Sequence, residues 1–362
     1  MSGEIAGGIR RILIIKWSAL GDAALATAAI EDVRHAFPDA VLHLDTLPAA
    51  AKLFAFDPRF EAVFALPLRD RTRRLRTHFL WLRRVRAARY NLIIDLQSSD
   101  HTRLLLAVLS IGQSRVVRRW GLRRGFPYTL APTVSVGPHA AARMRALLAA
   151  AGIQRRTLHP VLYPHADQFA HVSALLQDLG IQPGCYCVFL PGSQAASWLK
   201  RWGAERYAEL GLLLHRRGIE RVVVIGACDE ADVCAEIVAS INAEAPGVAV
   251  YLNALSLLEV IPACAGAAFI VANDTGTAHI AAATNRPMWV LCGPTDPRRV
   301  RPLGPNVRAV QADYACLNCY RKTCRWGPRP RCLERISPHA VLALALEGVP
   351  AVAGLRVYDD DT

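Results

Sequence analysis

The chain has 362 residues, enough for two cores, not one. Hydrophobic residues make up 52% and charged residues 20%, which excludes a disordered chain. No apolar stretch reaches the roughly 18 residues that cross a bilayer. The net charge of +13, carried mostly by arginine, suits an anionic partner: lipid headgroups, phosphorylated glycolipids or nucleic acid. For any single arginine, a solvated surface position is the simpler reading.

The opening residues, MSGEIAGGIRR, contain no apolar core of a secretory signal, so a cytoplasmic protein is expected. Its ten cysteines then read as thiols or metal ligands, not disulfides. RILIIKW predicts a buried strand, and residues 23–36 carry helical periodicity. VLHLDTL and NLIIDLQ predict further strands, with an apolar helical LLLAVLS after the second. Between them lies RDRTRRLRTHFLWLRRVRAAR (Arg69 to Arg89), where Leu75, Phe79, Leu82 and Val85 at helical spacing predict an amphipathic helix with a basic face. A second arginine cluster spans Arg115 to Arg124, and residues 131–166 are proline-punctuated around a helical HAAARMRALLAAAGI.

A fresh alternation begins after Gly180. CVFLPGS, VVVIGA, VAVYLN, AAFIVAN and WVLC predict strands, with helices over 205–217, 230–241 and from 257. Two runs of strand–helix alternation imply two Rossmann-like domains with parallel sheets, placed at 9–166 and 167–362, the last helix being free to return to the first domain. Neither G-x-G-x-x-G nor a Walker loop is present, which argues against a dehydrogenase or P-loop enzyme.

The most informative stretch is AAFIVANDTGTAHIAAATNRPMWVLCGPTDP. Strand, polar turn and helix start follow one another, so backbone N–H groups at Thr275 and Gly276 can cradle a phosphate, with Asp274 and His279 on the same rim. The alternative is that Asp274 or Thr275 only caps the helix. Ligands on parallel sheets sit beyond the carboxyl ends of strands. Residues 16–22, 191–202, 226–230 and 273–279 occupy that position.

These motifs, in order, resemble glycosyltransferase family 9, the heptosyltransferases of lipopolysaccharide inner-core assembly. The resemblance rests on KWSALGDAALATAAIEDVRHAFPDA, YNLIIDLQ, LPGSQAASWLKRW, VVIGACDEADVCAEI and the D-T-G-x-x-H…G-P-T-D-P segment. It implies an α/β GT-B fold of two facing Rossmann-like domains, with an acceptor-binding N-terminal half and an ADP-sugar-binding C-terminal half. It also implies an inverting transfer with no cofactor required for catalysis. Asp22 matches the family's base, with an N-cap role as the alternative. Lys200 matches the lysine on the diphosphate, with Arg201 as competitor. Glu230 matches the carboxylate on the ribose, against an ordinary acid of a helix first turn. Asp274 would hold heptose hydroxyls, Thr275, Gly276 and His279 complete the donor turn, and Leu255 packs the adenine. Ser193 and Ser197 are further donor candidates; Gln97, His101 and Thr102 line the acceptor pocket. The partners implied are ADP-heptose and Kdo-lipid A or heptosyl-Kdo-lipid A, with the arginine-rich face on an anionic inner-membrane surface as a peripheral protein. A protein acceptor is the rival within the family.

Cys316, Cys319, Cys324 and Cys332 are spaced C-x2-C-x4-C-x7-C. Such thiols suit a structural Zn or Fe, or remain free. The first three also mimic a zinc knuckle, making a basic nucleic-acid-binding protein the rival of another class, although no nucleic acid is expected of the family. The cysteine-rich segment looks more like second-type heptosyltransferases.

Overall fold

Arg11–Lys16 (β1) sits at the centre of the first sheet, as an uninterrupted apolar run in a parallel sheet should. The computed structural model describes residues 8–359 except 69, 71, 73, 112–116 and 194, and not the side chains of 74, 195 and 196. Arg69, Arg71, Arg73 and Arg115 of the two arginine clusters therefore lie outside the described residues.

After β1 come α1 (Leu20–Ala36), β2 (Val41–Thr46), β3 (Ala62–Ala65), α2 (Arg74–Ala87), β4 (Leu92–Asp95), α3 (Asp100–Ser110), β5 (Arg118–Gly121) and α4 (Ala140–Ala150). The five strands form one parallel sheet in the order β3-β2-β1-β4-β5. Alanine-rich α1 buries nearly its whole apolar length and stops at Phe37, before a proline that cannot continue it. Its buried Asp32 accepts from Arg156 N, Thr157 N and Thr157 Oγ1, which ties the returning chain to the helix.

The helix expected over the arginine cluster is present as α2, but its inward face differs from the expected one. Trp81 and Val85 enter the core with Leu13, Ile15, Leu105 and Leu106, and Leu82 packs against them. Leu75 and Phe79 are exposed instead. The reason is an anchor on the other flank: Asp45 of β2 is fully buried and accepts from Trp81 Nε1 at 2.5 Å and Arg84 Nη2 at 2.5 Å, which fixes the helix's rotation.

Chain contacts divide the protein at Tyr163/Pro164. The second unit contains α5 (Ala166–Asp178), β6 (Tyr186–Leu190), α6 (Ala204–Arg216), β7 (Arg221–Ile225), α7 (Ala231–Glu244), β8 (Ala249–Leu252), α8 (Val260–Ala265), β9 (Phe269–Asn273), α9 (Gly276–Ala281), β10 (Met288–Cys292), β11 (Val307–Ala312), α10 (Pro338–Ala345) and β12 (Leu355–Tyr358). The sheet order is β12-β11-β10-β9-β6-β7-β8, parallel except for β12. The last helix, α10, buries Val341, Leu342 and Leu344 in this unit's own core beside Leu210 and Leu214 of α6. Its apolar face thus serves the core of the unit that carries it.

Candidate active site

Parallel strands deliver the loops that follow them to one edge of the sheet. In the first unit β1 pairs with β4, so the segments after Lys16 and after Asp95 are neighbours. Lys16 ends β1 buried, with Nζ 3.4 Å from Leu96 O. Burial pulls its pKa down, while the nearby Asp22 and Asp95 carboxylates oppose that shift. Asp22 is exposed in the first turn of α1, where Ala19 occupies the N-cap. The N-cap alternative for Asp22 is therefore excluded, and no described residue hydrogen-bonds its carboxylate.

Asp95, which sequence reading missed, organises the neighbouring turn. It accepts from Gln97 N at 3.0 Å, Ser98 N at 2.8 Å and Tyr128 Oη at 2.6 Å. Burial still holds its carboxyl above the usual range. Gln97, two residues further on, has a buried Oε1 with no hydrogen-bond donor among the described residues. His101 Nε2 lies 2.8 Å from His78 Nε2, and its ring is 5.6 Å from that of Trp17. Thr102 departs from the expected lining role: it is fully buried, its N–H bonded by Ser99 Oγ and its hydroxyl donating to Ser99 O. Ser99 is the N-cap of α3, and Thr102 is the residue that it caps.

In the second unit the donor candidates follow β9, β6, β7 and β8, consecutive in the sheet. Asn273 is the hub. Its Oδ1 accepts from Trp202 N at 3.3 Å and Tyr207 Oη at 3.2 Å, and its Nδ2 donates to Pro191 O. That stitches the end of β9 to the loop after β6. On the solvent side of the stitch, Lys200 Nζ lies 2.8 Å from Asp274 Oδ2. Arg201, the competitor for the diphosphate, is turned away: its Nη2 donates to Ser193 O at 2.7 Å and its Nε approaches Ser193 Oγ at 3.4 Å. Ser193 is 1% exposed and its hydroxyl donates to Ser197 O, so it shapes the loop more than it offers itself to a ligand. Ser197 is half-buried at a kink in that loop.

Glu230 is buried beside Gly192, where a Cβ would come within 1.9–2.1 Å of its carboxyl group. Only glycine permits this meeting of the segments after β6 and β7. Glu230 Oε2 accepts from Ala227 N at 2.9 Å, and burial pushes its carboxyl above the ordinary range. The helix-turn alternative is therefore present in the structure. Thr275 is the N-cap of α9, yet neither it nor Asp274 makes a side-chain capping bond. Gly276 opens the helix and His279 is buried within it, while Leu255 is half-exposed after β8.

Cys316, Cys319, Cys324 and Cys332 line one cavity of about 200 Å³ with Leu199 and Pro294. Burial raises the Cys332 thiol to about 11. Among the described residues no group of three His, Cys, Asp or Glu is close enough to hold an ion. As arranged, the four stand as free thiols around this cavity.

One sheet edge thus carries the Lys200–Asp274 pair and the buried Glu230, and the other carries the exposed carboxylate of Asp22. A family model, glycosyltransferase family 9 (heptosyltransferase), matches residues 79–329. The chain belongs to this family, which makes it a glycosyltransferase. It is 28% identical over 357 residues to lipopolysaccharide heptosyltransferase 1 of Pseudomonas aeruginosa, covering 91% of this chain and 96% of that protein. Relatives named heptosyltransferases 1, 2 and 3 all match. The fold is that of E. coli ADP-heptose heptosyltransferase II, with a TM-score of 0.69, 21% identity and coverage of 93% and 99% of the two chains. An E. coli heptosyltransferase solved with ADP-2-deoxy-2-fluoro heptose superposes with a TM-score of 0.68, 23% identity and coverage of 94% and 100%.

Proposed function

We propose that this chain is an inverting transferase that moves heptose from ADP-heptose to the Kdo/heptose inner core of lipopolysaccharide, as a second-type enzyme. The carrying observation is the 2.8 Å Lys200–Asp274 pair next to Glu230, on consecutive strands of one sheet. A nucleoside diphosphate sugar offers matching groups. Lys200 meets the diphosphate, which loosens its hold on Asp274 and frees that carboxylate to accept from heptose hydroxyls. Glu230 accepts from the ribose diol, and the N–H groups opening α9 face the phosphates. Leu255 packs the base.

On the acceptor side Asp22 takes the proton of the attacking hydroxyl. The new bond forms between that oxygen and the anomeric carbon as the bond from carbon to phosphate oxygen breaks, inverting the centre. ADP leaves with its developing charge met by Lys200. Gln97 and His101 contribute to holding the acceptor. The choice of a second-type enzyme is supported by the cysteine-rich segment after β11, and the lipid-linked acceptor places the protein peripherally at the cytoplasmic face of the inner membrane. The test is turnover of ADP-heptose with defined acceptors. Transfer to heptosyl-Kdo-lipid A and not to Kdo-lipid A is expected. The reverse preference would make it a first-type enzyme, and no transfer to either would sink the reading.

A further inference from the structure

The outer surface of α2 has a composition that the transfer reaction does not account for. At about 100° per residue, Leu75, Phe79 and Leu80 share one outward arc of about 140° with Arg76 and Arg83. Leu75 is 85%, Phe79 65% and Leu80 48% exposed, although large apolar side chains pack the opposite face of the same helix. No described residue pairs with Arg76 or Arg83. The neighbouring helix extends the patch. The His78–His101 contact at one end and the Arg86 Nη2 bonds to Val108 O and Ile111 O at the other hold α2 and α3 side by side. Leu104, one turn beyond His101, is 64% exposed on that layer.

Topology fixes where this patch lies. Helix α2 follows β3 and α3 follows β4, so the first turns of both stand at the carboxyl edge of the parallel sheet. Asp22 and Gln97 stand at that same edge. The Trp17 ring, next to Lys16, lies 5.6 Å from His101.

We propose that this face inserts into an anionic phospholipid bilayer, with Leu75, Phe79, Leu80 and Leu104 among the acyl chains and Arg76 and Arg83 on headgroup phosphates. The proposal deepens the reading above, on which the choice of a bilayer partner rests. Aliphatic side chains interleaved with unpaired guanidinium groups match an interface that is apolar below and negative above. Nucleic acid offers no apolar layer for three leucines. A second copy of a +13 chain would bring arginine against arginine.

Insertion differs from simple electrostatic docking in its response to salt. Screening weakens the arginine contribution, while the apolar contribution persists. The experiment is flotation with phosphatidylglycerol/phosphatidylcholine vesicles that lack any acceptor, at low and at high salt. Wild type is expected to bind at both, several-fold less at high salt. Leu75→Ser/Phe79→Ser should lose at least tenfold at low salt and all binding at high salt, and Arg76→Glu/Arg83→Glu should lose at least tenfold at low salt. The same ADP-induced thermal shift in all three proteins shows that the variants fold. Unchanged transfer to a delipidated acceptor in the serine variant, with reduced transfer to vesicle-embedded acceptor, supports the proposal. Wild-type vesicle binding by the serine variant overturns it. So does loss, in that variant, of RNA binding or self-association in place of vesicle binding. Failure of transfer to every acceptor, with vesicle binding intact, would instead overturn the proposed reaction and leave the docking face standing.

Discussion

Asp22 and Glu230 are two carboxylates with opposite surroundings, and their variants should behave oppositely. Asp22 is exposed and accepts no described hydrogen bond, as suits a group waiting for a proton. Asp22→Asn is expected to lower kcat by about 10²–10⁴-fold while the ADP-induced thermal shift stays at the wild-type value. A wild-type rate would remove Asp22 as the base. Glu230 is buried with its carboxyl pKa raised by desolvation. Ionising it therefore costs more in the folded than in the unfolded chain, and its contribution to stability falls as pH rises between the unfolded and the folded value. Glu230→Gln should match or exceed wild type in melting temperature at neutral pH, with the gap closing in acid, yet bind ADP about tenfold more weakly. A variant less stable than wild type at neutral pH would contradict the burial argument. Both acids were legible in the sequence because each follows a strand-like run. Gly192 and Asn273 were not, since a glycine's clearance for a carboxylate nearly forty residues away and a three-way amide stitch exist only in the packed molecule.

Elements follow the same division. Long apolar runs such as RILIIK and FIVAN were readable as strands because a central parallel strand is buried on both faces. The short edge strands AVFA and RRWG, half-exposed and lacking that signature, were not. Helix α2 was readable as a helix but not in its rotation, because the deciding partner, Asp45, lies on another strand. This makes Arg84 a test of what orients the helix. Arg84→Ala leaves the Asp45 carboxylate buried beside Trp81 alone, and breaking such a pair costs about 3 kcal/mol. The double variant Asp45→Leu/Arg84→Met removes both charges and should recover much of that loss in urea unfolding. Equal destabilisation by both would show that packing of Arg84 on the Phe64 ring, 3.6 Å from its centroid, matters more than charge.

At the scale of the whole molecule, each unit closes its own core, and the proposed nucleotide ligands all lie within the second. Two alternating halves were legible from the repeated strand–helix pattern, whereas β12 pairing antiparallel at one edge was not, since nothing in LRVY specifies a direction. A ligand that binds only one folded unit stabilises that unit alone, by about 2.7 kcal/mol at a hundredfold excess over Kd. ADP should therefore slow amide exchange in residues 191–202, 226–230 and 273–279 and leave 20–36 and 95–102 unchanged. Unfolding followed by a single probe would conceal this, because two independently cored units need not melt as one. Protection of equal size in the N-terminal peptides would mean that the nucleotide also engages the unit carrying Asp22. The division of donor and acceptor between the two sheets would then have to be redrawn. Protection confined to the three C-terminal segments leaves Asp22, Gln97 and the arginine-flanked face of α2 to the acceptor and its lipid.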